Sequence, residues 1–144
     1  MSVYARNAKL AAYQSVAVHG GVASANPHQL VLALMDGALE RLAIARGCIE
    51  RGQRGDLARK AQLLNQCVNI IAELRGSLDL AAGGPLAQNL HELYEYMLRQ
   101  LLRANVDSNA VLVNEVASLL AEIRSAWVAI GPEVRPLPAS PGRP

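Results

Sequence analysis

Residues 26–52 read NPHQLVLALMDGALERLAIARGCIERG, and this stretch decides the fold class. Asn26 is a helix-capping residue type. Pro27 suits a first helical position, where its missing N–H would have had no partner anyway, and Gln29 stands where a capping box closes. From Leu30 apolar residues recur at three- and four-residue spacing until Gly52 stops the pattern. That period belongs to an α-helix with one apolar side, so a helix is expected over 27–51.

The same punctuation repeats toward the C-terminus. Gly55-Asp56 opens a second periodic segment, with Asp56 the expected cap, running to about residue 80. Gly83-Gly84-Pro85 ends it and begins a third over 85–105. Asp107-Ser108-Asn109 supplies caps for a fourth over 109–130, which stops at Gly131-Pro132. Helices of about 20 to 25 residues joined by short loops pack as antiparallel neighbours. The expected architecture is all-α, an antiparallel up-down four-helix bundle over 26–131. Residues 1–25 show weak periodicity around Tyr4, Ala8, Ala12 and Val16, broken at Gly20-Gly21, and read as a mobile helical N-terminal arm. Residues 132–144 hold five prolines and little that could pack, and read as a disordered tail.

Composition narrows the function classes. The chain has 144 residues, enough for one core; 51% are apolar and 18% charged, too apolar for a disordered protein. The apolar run Leu30–Met35 is closed by Asp36, far short of the ~18 to 20 residues that span a membrane. Net charge is +2, with basic residues interleaved among acidic ones and no aromatic stacking platform, which argues against nucleic acid. Arg6 and Lys9 precede an Ala23-Ser24-Ala25 stretch that mimics a leader cleavage site. Tyr13, Gln14, Ser15 and His19 interrupt the intervening segment, so a cytoplasmic location is expected. Cys48 and Cys67 fall in separate helices without metal-type spacing and read as small core side chains in a reducing compartment.

Catalytic patterns are missing. His19, His28 and His91 are isolated, and none follows a Glu by three residues as in a di-iron bundle. There is no Gly-x-Ser-x-Gly turn and no Gly-rich loop followed by Lys-Ser/Thr. No catalytic residue, metal ligand or cofactor is expected.

The apolar faces carry the functional signal. In the fourth helix Leu112, Val113, Val116, Leu119, Leu120, Ile123 and Trp127 share a sector of about 120°, as one buried face requires. In the second, Leu57, Ala61, Leu64, Val68 and Ile71 form one stripe and Leu63, Cys67, Ile70 and Leu74 a second beside it, together about 200° wide. Leu32, Met35 and Leu39 widen the first helix's face, and Leu98 and Leu102 lie outside the stripe of Leu86, Leu90, Leu93 and Met97. More apolar surface is present than four packed helices are expected to hide, which marks an interaction surface. A partner helix, the N-terminal arm, or a second copy in a structural homo-oligomer could each complete the burial.

Several phrases occur in a specific order: NPHQLV (26–31), LMDGAL (34–39), IIAELRGSLD (70–79), GGPLAQNL (83–90), LYEYM (93–97), Ala104-Asn105, Glu115-Val116 and EIRSAW (122–127). This ordered set resembles the FliS family of flagellar export chaperones over about residues 10–130. The resemblance implies a cytoplasmic bundle that binds the C-terminal segment of flagellin. Binding would prevent premature polymerisation and deliver the flagellin to the gate components of the flagellar type III export apparatus. It also implies an N-terminal arm able to occupy part of the groove, and it leaves room for a homodimer without cargo. Tyr13-Gln14 matches the Tyr-Gln element of that arm. The residues expected at a flagellin groove are therefore Tyr13, Leu63, Cys67, Ile70, Leu74, Leu98 and Leu102. Met35 replaces the family's usual Tyr and Glu95 its usual Asp, while Tyr94 and Tyr96 match the third-helix element. Trp127 reads as core, and Gly37 as a place where two helix backbones approach closely.

Overall fold

The computed structural model describes residues 26–131. The arm expected over 1–25, Tyr13 included, and the tail expected over 132–144 lie outside the described residues. Four helices follow in order: α1 (Pro27–Arg51), α2 (Asp56–Gly76), α3 (Leu80–Asp107) and α4 (Ala110–Ile130). The described residues contain no strand, and the fold is an all-α helical bundle.

Helix ends show which sequence signals act. Asn26 caps α1, its Oδ1 accepting from Gln29 N at 2.9 Å, and Asn109 caps α4 in the same way through Val111 N at 2.9 Å. Asp56 is not a cap. Gly55 precedes the helix at φ 87, and Asp56 is the first helical residue, its carboxylate accepting from Gln53 N at 3.1 Å and from Arg51. The α2–α3 boundary also moves. α2 ends at Gly76, and Asp79 caps α3 by accepting from Ala82 N at 3.0 Å, so a first turn forms before the glycine pair. Gly84 then breaks the helical path at φ 59, ψ −144, a conformation open only to glycine, and Pro85 restarts the helix from its preferred first-turn position.

Two compact units divide the chain, one over 35–123 and one joining the first turns of α1 to the last turns of α4. Within 35–123, polar bonds show which helices are neighbours. Cys67 Sγ donates to Ala38 O at 3.5 Å and Arg41 Nε to Gln66 Oε1 at 2.8 Å, joining α1 to α2. Lys60 Nζ donates to Asn105 O at 2.7 Å and Ser108 Oγ at 3.0 Å, and Arg75 pairs with Glu95 at 3.7 Å, joining α2 to α3. Tyr96 and Gln100 both donate to Glu115, joining α3 to α4, and Arg46 donates to Asn114 of α4 at 3.1 Å. Partner numbers rise on α2 as they fall on α3, the signature of antiparallel packing. Met35, Leu42, Leu64, Ile71, Met97, Leu101 and Leu120 fill the space between, all fully buried, each worth about 1.5 to 3 kcal/mol of transfer free energy where it is a Leu, Ile or Met.

In the other unit His28 and Trp127 clasp each other. Their rings stack at 4.9 Å and 12°, Trp127 Nε1 donates to His28 O at 3.0 Å, and His28 Nε2 donates to Trp127 O at 2.8 Å. Trp127 is thus half-buried and hydrogen-bonded at both ends, rather than a core residue.

Candidate partner-binding seam

The two flanks of α2 have opposite fates. The stripe expected to stay open is closed: Leu63 is 7% exposed, Cys67 0%, Ile70 7% and Leu74 2%. With Lys60, Leu64 and Ile71 these residues occupy a sector of about 120°, the ordinary width of one buried face. The reason is α1. Cys67 bonds the Ala38 carbonyl, and the Ile70 Cδ1 methyl lies 3.9 Å from where a Cβ on Gly37 would stand, so this flank packs against a neighbouring helix. Gly37 does not admit a second backbone either. Its missing Cβ makes room for the Arg41 guanidinium, which would lie 3.1 Å from it and which donates to Gly37 O at 2.9 Å.

The uncovered apolar edge of α2 is the other one. Leu57 is 57% exposed, and Ala61, Val68 and Ala72 are half-buried on the same side. The Lys60–Asn105 and Arg75–Glu95 contacts set this edge beside α3, where Leu98 is half-buried, Leu102 58% exposed and Val106 84% exposed. Between Leu57 and Ala72 this side of α2 carries Ala58, Ala61, Asn65, Val68 and Asn69 and no charge. The seam runs about 22 Å at 1.5 Å per residue, long enough for several turns of a partner helix. Of the residues expected at a partner groove, Leu98 and Leu102 lie on this seam. Leu63, Cys67, Ile70 and Leu74 do not. By periodicity Leu64 and Ile71, which are buried, share one stripe with Leu57, Ala61 and Val68. Their only sequence signal is the run of small and uncharged residues around them.

Burial and hydrogen bonding shift several titrating groups of the bundle. Burial pushes the Cys67 thiol up to about 12, the nearby Arg41 pulling only weakly the other way, so the sulfur stays a neutral donor. Burial likewise pushes the Tyr94 phenol up to about 12. The hydrogen bond from Tyr96, and then that from Gln100, hold the Glu115 carboxyl below its usual range, while the same contact raises the Tyr96 phenol. The Arg51 bond, and then the Gln53 amide, lower Asp56. Among the described residues no group of His, Cys, Asp and Glu could hold a metal ion, and no helix is long and apolar enough to cross a membrane.

Comparison with known proteins places the chain in a family. The family model described as "Flagellar protein FliS" matches residues 9–134. The chain belongs to the FliS family. A Pseudomonas aeruginosa protein named flagellar secretion chaperone FliSB is 46% identical over 82% of this chain and 91% of its own length. The flagellar secretion chaperone FliS of Salmonella typhimurium is 44% identical over 85% of the chain and 89% of its own length, and that of Bacillus subtilis 32% over 81% and 80%. These FliS relatives are named as chaperones, not as enzymes. The phrases that carried the resemblance lie inside the matched region. Helix caps Asn26 and Asp79, kink residues Gly84-Pro85, and the Tyr96 that bonds Glu115 all belong to them.

Proposed function

We propose that this chain is an export chaperone for flagellin, holding the flagellin C-terminal segment on the α2–α3 seam in the cytoplasm until the flagellar type III apparatus receives it. The observation that carries the reading is the uncharged apolar seam of Leu57, Ala61, Val68, Leu98, Leu102 and Val106 on a chain of the FliS family. Apolar exposure of this kind, continuous along two neighbouring helices, is unusual on a lone soluble domain. An amphipathic cargo helix laid along the seam buries Leu57, Leu98, Leu102 and Val106, each worth about 1.5 to 3 kcal/mol before the cost of ordering a flexible segment. Sequestering the segment in this way keeps it from joining other flagellin molecules. Delivery then needs only that the complex reach the export gate and the cargo dissociate.

Titration with the C-terminal part of the same organism's flagellin tests this reading. A one-to-one complex with micromolar or tighter affinity is expected, with the methyl signals of Leu98 and Leu102 moving on binding. Absence of a stable complex rejects it. Sedimentation without cargo separates the alternative, because a dimer that stays closed on the seam when flagellin is added makes the chain a structural homo-oligomer.

A further inference from the structure

We infer that the α1–α2 interface carries a second docking site, independent of the cargo reading, for an acidic side chain that sits beside an apolar one on a partner protein. On the flank of α2 about 160° away from the seam, a pocket of about 350 Å³ opens between α1 and α2. Ile44, itself a 38% exposed large apolar side chain, and Leu63 supply its apolar surface, and Glu40, Arg41, Arg59 and Gln66 stand around them. This volume is near the lower end of the range for ligand pockets, about 300 to 1,000 Å³, and holds one or two side chains rather than a helix.

The charge around the pocket selects the occupant. Two guanidiniums against the single carboxylate of Glu40 leave it net positive. Arg41 is fixed in place: its Nε donates to Gln66 Oε1 at 2.8 Å and its Nη1 to Gly37 O at 2.9 Å, which leaves the Nη2 donors for an incoming group. The Gly37 position, with no Cβ, is what lets the guanidinium lie there. Arg59 is exposed, and its guanidinium makes no bond among the described residues. A guanidinium already held by two hydrogen bonds loses little freedom when a third group binds, so a carboxylate gains a charge-assisted bond at low ordering cost. The neighbouring apolar residue of the same segment then covers Ile44. Because the pocket and the seam lie on opposite flanks of α2, both are open at once, and cargo on one leaves the other free.

The test titrates the isotope-labelled full chain with acetyl-Leu-Asp-Leu-amide and, separately, acetyl-Leu-Asn-Leu-amide. The expected result is movement of the Ile44 methyl and Arg59 side-chain signals with the Asp peptide, with affinity at least about tenfold above that of the Asn peptide and falling with added salt. Arg59→Gln should remove that advantage while flagellin binding and the melting temperature stay unchanged. Equal titration by the two peptides, shifts confined to Leu98 and Leu102, or wild-type peptide binding by Arg59→Gln each overturn the proposal.

Discussion

The two flanks of α2 are alike in being apolar and opposite in fate. One carries Leu63, Cys67, Ile70 and Leu74, all buried on the side of α1; the other carries Leu57, Ala61, Val68 and Ala72 and stays partly open beside α3. Both are apolar at helical spacing. The difference is supplied by the neighbours. Arg41 folds over Gly37 to bond Gln66, and Cys67 bonds Ala38, so α1 closes down on its flank. α3 packs along α2 as well, with Lys60 and Arg75 making polar contacts near the two ends of α2, and Leu57, Ala61, Val68 and Ala72 lie at the outer edge of that contact, where they are only partly covered. An apolar stripe is therefore evidence of burial by something, and its position relative to fixed polar contacts tells whether that something belongs to the same chain.

The comparison breaks most severely at Ile70→Asp. A carboxylate replacing a 7% exposed apolar side chain against α1 loses hydration and packing there, and a loss of about 2 to 5 kcal/mol is expected, read as a collapse of the urea midpoint and of helicity. A variant that keeps its fold and loses only cargo would return this flank to the binding site.

Leu102→Asp, on the open flank, should behave in the opposite way. Its side chain is 58% exposed, so stability should change by less than about 0.5 kcal/mol. Affinity for the flagellin segment should fall at least about tenfold, the equivalent of roughly 1.4 kcal/mol, by calorimetry. Unchanged affinity would remove Leu102 from the seam.

A subtler contrast lies at the α3–α4 contact. Glu115 is held below its usual 4.5, chiefly by Tyr96, so the stabilisation it provides is present above that pH and is lost as pH falls through the lowered value. Tyr96 is raised above 10.0 by the same bond, so its share is present below pH 10 and is lost as pH rises through the raised value. Tyr96→Phe should therefore melt below the wild type between these limits, and the two melting curves should converge in acid and in strong alkali. A gap independent of pH would show that the hydroxyl acts only through packing.

The smallest expected effect is at Gly37→Ala. A Cβ there meets the flexible end of Arg41 at 3.1 Å, while removing a mid-helix glycine favours the helix by about 1 kcal/mol. A net gain of about 0.5 kcal/mol in urea stability is expected after Arg41 shifts. A loss instead would show that the Arg41–Gln66 bond holds α1 and α2 more tightly than its partly exposed setting implies.

Part of the candidate seam was legible in the sequence. Leu98 and Leu102 stood outside their helix's main stripe, and that alone placed them on an outer edge. The width of the apolar sector on α2 was also readable, and it did signal surplus surface. Leu57 and Val68 were not readable as the open part, because on a helical wheel they lie beside Leu64 and Ile71, which are buried. Asp56 misled for a local reason: its carboxylate turns back to Gln53 and Arg51, and Gly55 makes the turn that a cap would otherwise start.

Periodicity, caps and breakers are properties of consecutive residues, so the chain by itself determined its helices and their antiparallel order. Which side of α2 faces a neighbour is a property of residues far apart in sequence, such as Cys67 with Ala38 and Lys60 with Asn105. A helical wheel gives the width of an apolar sector but has no mark for where the adjacent helices stand around it. Only packing in three dimensions supplied that mark, and it moved the exposed surface from one flank of α2 to the other.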